Sequence, residues 1–212
     1  KLSYFSRVVN EKINEIKFKS FLMPINTDSG FHTGLIRIQR AMPFQTIGDY
    51  KNYIARLNEF PRYFDEQIIL MKEGLRLGIT IPQAVLNDYE LTISAHIVSD
   101  PEMSLFFNPF YKIPKNIPKN DREKLIREGR QAILTSVVKA YGDFLDFFMS
   151  EYRPGARVTL GATEMPNGSE YYQFKVKQFT TLDYTPEEVH QIGLKEVERI
   201  KSEMETIIEQ VG

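Results

Sequence analysis

The sequence predicts an all-α fold, an irregular multi-helix bundle of about six helices with long members and Pro-rich loops. Three observations predict it. Apolar residues recur three or four apart in several stretches, helix-start and helix-stop residues flank those stretches, and no two alternating segments stand out to pair as a sheet.

Leu2 to Asn14 carries Phe5, Val8, Val9 and Ile13 on a helical stripe. Ile16 to Pro24 alternates partially and ends in proline, which predicts extended or loop structure. Asn26 to Gly34 is turn-rich, with Gly30 and Gly34 free to adopt positive φ. A short helical piece is expected from Leu35 to Ala41, before Pro43.

Thr46 followed by Asp49 has the spacing of a helix cap, and Tyr50, Tyr53, Ile54 and Leu57 continue at helical spacing. Pro61 opens a segment in which Phe64, Ile68, Met71 and Leu75 repeat until Gly78. A third helix is expected from Thr80-Ile81-Pro82, carrying Val85, Tyr89, Ile93 and Ile97. Asp100 to Asn120 holds four prolines among Phe106, Phe107, Phe110 and Tyr111, so it predicts a loop packed on the bundle. Asn120 to Glu123 is cap-like, and Leu125 to Tyr152 is the longest helical run, ended by Pro154. Its inward candidates are Leu125, Ile133, Val137, Tyr141, Leu145 and Phe148.

Gly161 to Gly168 reads as a loop. Tyr171 to Phe179 fits either period, and helix is the expectation because no strand exists to pair with it. The final helix is announced most clearly. Thr185-Pro186-Glu187-Glu188 supplies a capping box with proline at the first helical position. Behind it Val189, Ile192, Val197, Ile200, Met204, Ile207, Ile208 and Val211 form one apolar stripe, roughly 37 Å long at about 1.5 Å per residue. Such a stripe needs other helices to lie against.

Composition bounds function more than it defines it. The 212 residues are 42% hydrophobic and 26% charged, ordinary globular values, and long enough for a real core in a single helical domain spanning 1–212. A formal net charge of -1 argues against nucleic acid as a partner, since phosphate contacts need a basic excess. No apolar run reaches the roughly 20 residues of a membrane span. The absence of Cys excludes disulfides and thiolate metal sites. Lys1 is not an initiator Met and no signal segment or lipid-bearing Cys is present, so the chain reads as trimmed at both ends.

Candidate chemistry is sparse. His32, His96 and His190 lack the i,i+4 company that converging metal ligands show on a helix, and no G-x-S-x-G, P-loop or G-x-G-x-x-G occurs. The acidic face of the final helix and the strip Lys112, Lys115, Lys119 read as solvated surface. Among the three histidines His32, in its Gly-flanked loop, is the best placed to touch a ligand.

Many short motifs in order resemble one family. They are Met23-Pro24-Ile25-Asn26, Gly30-Phe31-His32, Pro43-Phe44-Gln45-Thr46, Asp49 to Leu57, Phe60-Pro61, Pro109-Phe110, Ala140-Tyr141, Glu151-Tyr152, Pro166-Asn167-Gly168, Tyr171-Tyr172, Thr180 to Asp183, Thr185 to His190 and Gly193 to Val197. In this order, over nearly the whole chain, they resemble the bacterial domain-of-unknown-function-885 family, whose members are often described as lipoproteins. That family is similar to helical zinc peptidases of the zincin group. Its complete members are far longer and carry an H-E-x-x-H helix in their C-terminal half, where two histidines hold zinc and the glutamate activates its water. None of the three histidines here stands in such a motif.

The resemblance therefore implies an N-terminal, cleft-forming helical portion of a zinc-dependent peptidase-like protein, with no catalytic or metal residue and no cofactor of its own. Zinc belongs to the full-length parent. His32, Tyr171 and Tyr172 are the candidate substrate contacts, with a peptide as substrate. The implied partners are the C-terminal half of the parent and a second copy of the chain, meeting exposed apolar surface, and the implied location is the cell envelope. The alternative is a non-catalytic binding or assembly module for a peptide or cell-envelope partner, with a groove lined by Phe106, Phe107 and Tyr111.

Overall fold

Helix accounts for every regular element in the computed structural model, which describes residues 2–211; the end residues Lys1 and Gly212 of the expected 1–212 domain lie outside them. Among the described residues the only β feature is an isolated bridge between Ile25 and Gly30. The fold is all-α. It divides into two compact units: a core unit, Lys19–Leu160, and a flanking unit made by the chain up to Phe18 and from Gly161 onward.

In the core unit, α2 (Ile47–Asn58) begins with the reciprocal box anticipated for Thr46 and Asp49. The Thr46 hydroxyl accepts from the Asp49 amide at 3.2 Å, and the Asp49 carboxylate accepts from the Thr46 amide at 2.8 Å. Its inward residues Tyr50, Tyr53, Ile54 and Leu57 are buried. Helix α3 (Phe60–Leu77) follows at once and ends at Gly78, whose φ of 71° lies in the left-handed region that glycine enters without strain. Past the middle of the chain, α5 (Lys119–Ala132), a π-helical stretch (Ile133–Val138), α6 (Lys139–Phe147), a second π stretch (Phe148–Tyr152) and the short turn α7 (Arg153–Gly155) run on as one rod. Along it Leu125, Ile133, Val137, Tyr141 and Phe148 are buried as expected, and Leu145 is half-buried. Phe144 and Phe147 join them.

Three expectations are corrected. Ile16 to Pro24 is loop rather than extended, and only past Lys17, because α1 (Leu2–Lys17) carries its first two residues and Ser20–Leu22 forms a 3-10 turn. Thr80 to Ile97 is not one helix. A 3-10 turn (Gln83–Leu86) and the short α4 (Tyr89–Ser94) are separated by Asp88 at φ 60°. Leu86, Tyr89 and Ile93 are all buried, so helical spacing served two short pieces rather than one. Finally, the loop glycines do not use positive φ, since Gly78 is the one glycine to adopt it among the described residues.

The Pro- and Phe-rich segment does pack on the bundle, as 3-10 turns at Pro101–Met103 and Leu105–Lys112. Phe106 and Phe107 are buried and Tyr111 is 58% exposed, so the first two do not line an open groove with Tyr111. Tyrosine hydroxyls fix the segment to α2. Tyr53 donates to the Phe106 carbonyl at 2.8 Å and Tyr50 to the Pro109 carbonyl at 3.2 Å.

The flanking unit comprises α1, α8 (Gly168–Thr180) and α9 (Pro186–Val211). Thr185 and Glu188 make the predicted box: the carboxylate accepts from the Thr185 amide at 2.7 Å, and the Glu188 amide donates to the Thr185 hydroxyl at 3.2 Å. Yet α9 buries nothing. Its stripe of Ile192, Val197, Ile200, Met204, Ile207, Ile208 and Val211 is exposed throughout.

Two helix glycines make a matched test of packing in the core unit. A Cβ on Gly74 would sit 2.7 Å from the Ile79 carbonyl and 3.0 Å from the Leu22 carbonyl, both backbone, whereas one on Gly142 would meet nothing within 4 Å. Gly74→Ala should therefore destabilise by about 1–3 kcal/mol, and Gly142→Ala should stabilise by up to about 1 kcal/mol. Urea unfolding of the two variants beside the parent chain checks both signs.

Candidate functional site

The loop bearing His32 is built from local turns before it meets the helices. Asn26 Oδ1 accepts from the amides of Asp28 and Ser29 at 3.1 and 2.9 Å, a side-chain turn that reverses the chain. The Phe31 amide then donates to the Pro24 carbonyl at 3.0 Å. Gly30 is required for close approach rather than for a special φ. A Cβ there would lie 2.5 Å from the Tyr89 hydroxyl and 3.0 Å from His32 Nδ1.

His32 has no exposed surface. Its ring sits edge-on to Phe31 and Tyr89 and tilted against Phe144, with centroids 5.3–5.6 Å away. Nε2 lies 3.0 Å from the Thr92 hydroxyl. That hydroxyl already donates to the Tyr89 carbonyl at 2.7 Å, so Nε2 carries the imidazole proton and Nδ1 holds the lone pair. Nδ1 is buried and has no hydrogen-bond partner among the described residues. The backbone is tied down too, because Tyr141 donates to the His32 carbonyl at 2.8 Å and Tyr89 to that of Ser29 at 2.9 Å. His96 lies over Tyr141 at 4.4 Å between centroids.

Burial, and secondarily the nearby His96, pushes the His32 pKa down to about 4, and burial lowers His96 as well. What this cluster can do chemically is limited. A neutral imidazole sealed from solvent positions a loop; it does not exchange protons with a bound molecule while that packing holds.

Tyr171 and Tyr172 lie on α8 in the flanking unit. Adjacent on a helix, they point about 100° apart. Tyr171 is half-buried, edge-on to Phe18 at 5.7 Å, with the Lys175 ammonium 5.5 Å from its ring centre. Phe174 stacks on Phe18 at 5.6 Å. Tyr172 is 44% exposed. A groove of about 390 Å³ runs between α1 and α8, lined by Ser6, Asn10, Asn14, Phe174 and Gln178 among others, and neither tyrosine lines it. The two tyrosines are thus neighbours in one unit, and His32 is a core residue of the other.

Among the described residues no group of three or more His, Cys, Asp or Glu is placed to hold a metal ion. His190 lies on α9 in the flanking unit, where it is exposed. Sequence reading missed Tyr89, Thr92 and Tyr141 as the partners of His32. Tyr89 and Thr92 stand three apart on α4, a spacing that puts both on one face, but nothing local links them to a loop 60 residues away.

The model of the family described as "Bacterial protein of unknown function (DUF885)" matches residues 2–212. No curated protein matches. A crystal structure of "the putative lipoprotein from Colwellia psychrerythraea" superposes with a TM-score of 0.78 at 24% identity, over 89% of this chain and 33% of that one. That likeness speaks for the fold, and the chain spans about a third of that protein's length.

The depressed His32 pKa has a thermodynamic consequence. Between about pH 6.5 and 4 the unfolded chain takes up a proton that the folded chain refuses, so stability falls as pH falls through that window. The loss should be on the order of 3 kcal/mol by pH 4. Urea unfolding at pH 7, 5.5 and 4 should show it, and His32→Gln should flatten the slope while lowering stability at pH 7.

Proposed function

The chain belongs to the bacterial DUF885 family of unknown function, and from that footing we propose that it is the N-terminal, cleft-forming helical portion of a zinc-dependent, peptidase-like protein, inert by itself. The observation that carries the reading is α9. A 26-residue helix with a well-made cap leaves its apolar stripe exposed from Ile192 onward. Exposed apolar surface of that extent marks a partner. In this reading the partner is the remainder of a longer parent, in keeping with a chain that spans a third of its structural neighbour.

The reaction centre lies on that remainder. The chain's three histidines supply no H-E-x-x-H, and the two in the core unit are buried or half-buried among aromatic rings. The role left to these residues is to shape and wall a peptide cleft, and the exposed ring of Tyr172 is their best candidate contact. The cell envelope is the proposed location, drawn from the lipoprotein description of the structural neighbour. No described helix is long and apolar enough to cross a membrane.

Two measurements test this. Zinc content and hydrolysis of a peptide library, compared between the 212-residue chain and a version extended through the downstream sequence, should show about one zinc per chain and activity in the longer protein alone. Stoichiometric zinc or hydrolysis in the shorter chain would overturn the reading. The bare stripe should also drive self-association of the shorter chain at high concentration. Sedimentation equilibrium should detect it, and Ile200→Lys with Ile207→Lys should abolish it.

A further inference from the structure

We propose that the core unit carries a binding site for a small monocarboxylate with an apolar body, in a cavity beside the first turns of α5. The cavity holds about 280 Å³. Its walls are Phe110, Tyr111, Ile113 and Ile126, and its polar groups are Lys119, Arg122 and Glu123. This site is independent of the reading above, which puts the reaction centre outside these residues.

Arg122 is the reason to expect a ligand. Its backbone is fixed in the first turn of α5, where its amide donates to the Pro118 carbonyl at 3.0 Å. Its guanidinium makes no hydrogen bond or ion pair with any described residue, and Nε is shielded from solvent without an acceptor. A buried donor of a charged group left unpaired is costly, and folded proteins rarely tolerate one without a use for it. The other half-buried arginines of the same unit are satisfied. Arg153 reaches Glu90 at 3.4 Å and Asn87 at 3.2 Å, and Arg157 donates to the Thr80 carbonyl at 2.8 Å.

The acid that lines the cavity does not fill the role. Glu123 is turned to Lys119, 3.8 Å away, a distance that leaves both largely hydrated. With that pair cancelling, the cavity keeps one positive charge, carried by the group with planar bidentate geometry for a carboxylate. A doubly charged phosphate would meet four apolar walls and a glutamate, a poor exchange for its hydration.

The apolar wall is built deliberately. Phe110 lies flat against α5 because residue 129 is glycine, and a Cβ there would stand 2.4 Å from the Phe110 ring. Tyr111 is held by its hydroxyl, which donates to the Glu102 carbonyl at 2.8 Å, so its ring flanks the opening in a fixed place. A fixed aromatic wall facing one guanidinium recognises an acid with an aromatic or branched side group, of roughly amino-acid size.

N-acetyl-L-phenylalanine and its neutral amide, titrated calorimetrically into the chain, form the test. The acid should bind saturably and the amide at least about tenfold more weakly, the loss of one charge-assisted contact. Arg122→Gln should weaken the acid by a similar factor, whereas Lys119→Gln should change it by less. Because the free guanidinium is unpaired, Arg122→Gln should leave the melting temperature unchanged or raise it. A lowered melting temperature would show that Arg122 serves the fold and would overturn the proposal. So would equal binding of acid and amide, or no saturation by millimolar acid. Gly-Gly-Phe separates two sources of the same chemistry. Binding as tight as the acetylated residue identifies a peptide C-terminus as the ligand, and its exclusion identifies a free acid.

Discussion

The core unit depends on buried tyrosine hydroxyls that donate to backbone carbonyls of the segments between helices. Tyr50, Tyr53, Tyr89 and Tyr141 each reach such a carbonyl, at Pro109, Phe106, Ser29 and His32. The need is physical. Loops and 3-10 turns cannot pair their own carbonyls as an α-helix does, and a buried carbonyl without a donor costs about 1–3 kcal/mol. Tyrosine answers this while filling the core, since its ring buries a large apolar area and only the tip is polar. Burial raises the pKa of the phenols of Tyr53, Tyr89 and Tyr141, which keeps them protonated and therefore donors.

This arrangement explains where the sequence was readable. The Thr46–Asp49 and Thr185–Glu188 boxes need only residues three apart, so local letters sufficed. Stripes along α2 and α3 were legible for the same reason. The π stretches of the long rod were not, because one extra residue per turn leaves no mark in the apolar pattern. Nor was the break at Asp88, where two short pieces bury what one helix would have buried. The candidate site was least legible. His32 stood in a turn-rich loop that reads as surface, and its burial is decided by Thr92 and Tyr141, 60 and 109 residues away.

Two kinds of helical stability coexist in the chain. In the core unit an aromatic cluster runs from Tyr50 on α2 through Phe64 on α3 to Phe144 and Phe148 on the rod, and the helices owe their order to it. In the flanking unit α9 has no such support. What holds it is local: the cap at Thr185, Gln191 donating to Glu187 at 2.7 Å, and Arg199 bracketed by Glu196 and Glu203. Each pair is exposed and contributes only a few tenths of a kcal/mol.

That difference bears on function. A 26-residue helix is long enough to persist on local terms alone, so its stripe is present before anything covers it. An ordered apolar face loses less conformational entropy on docking than one that must fold at the same moment. The acidic residues on the other faces of α9, Glu196, Glu203 and Glu205 among them, keep it hydrated and leave the stripe as its one apolar face. By contrast His32 is silent because aromatic rings seal it from solvent, its unpaired Nδ1 included. In the readings proposed above, the uncovered stripe on α9 and the unpaired guanidinium beside Phe110 are where a partner and a ligand find something to bind.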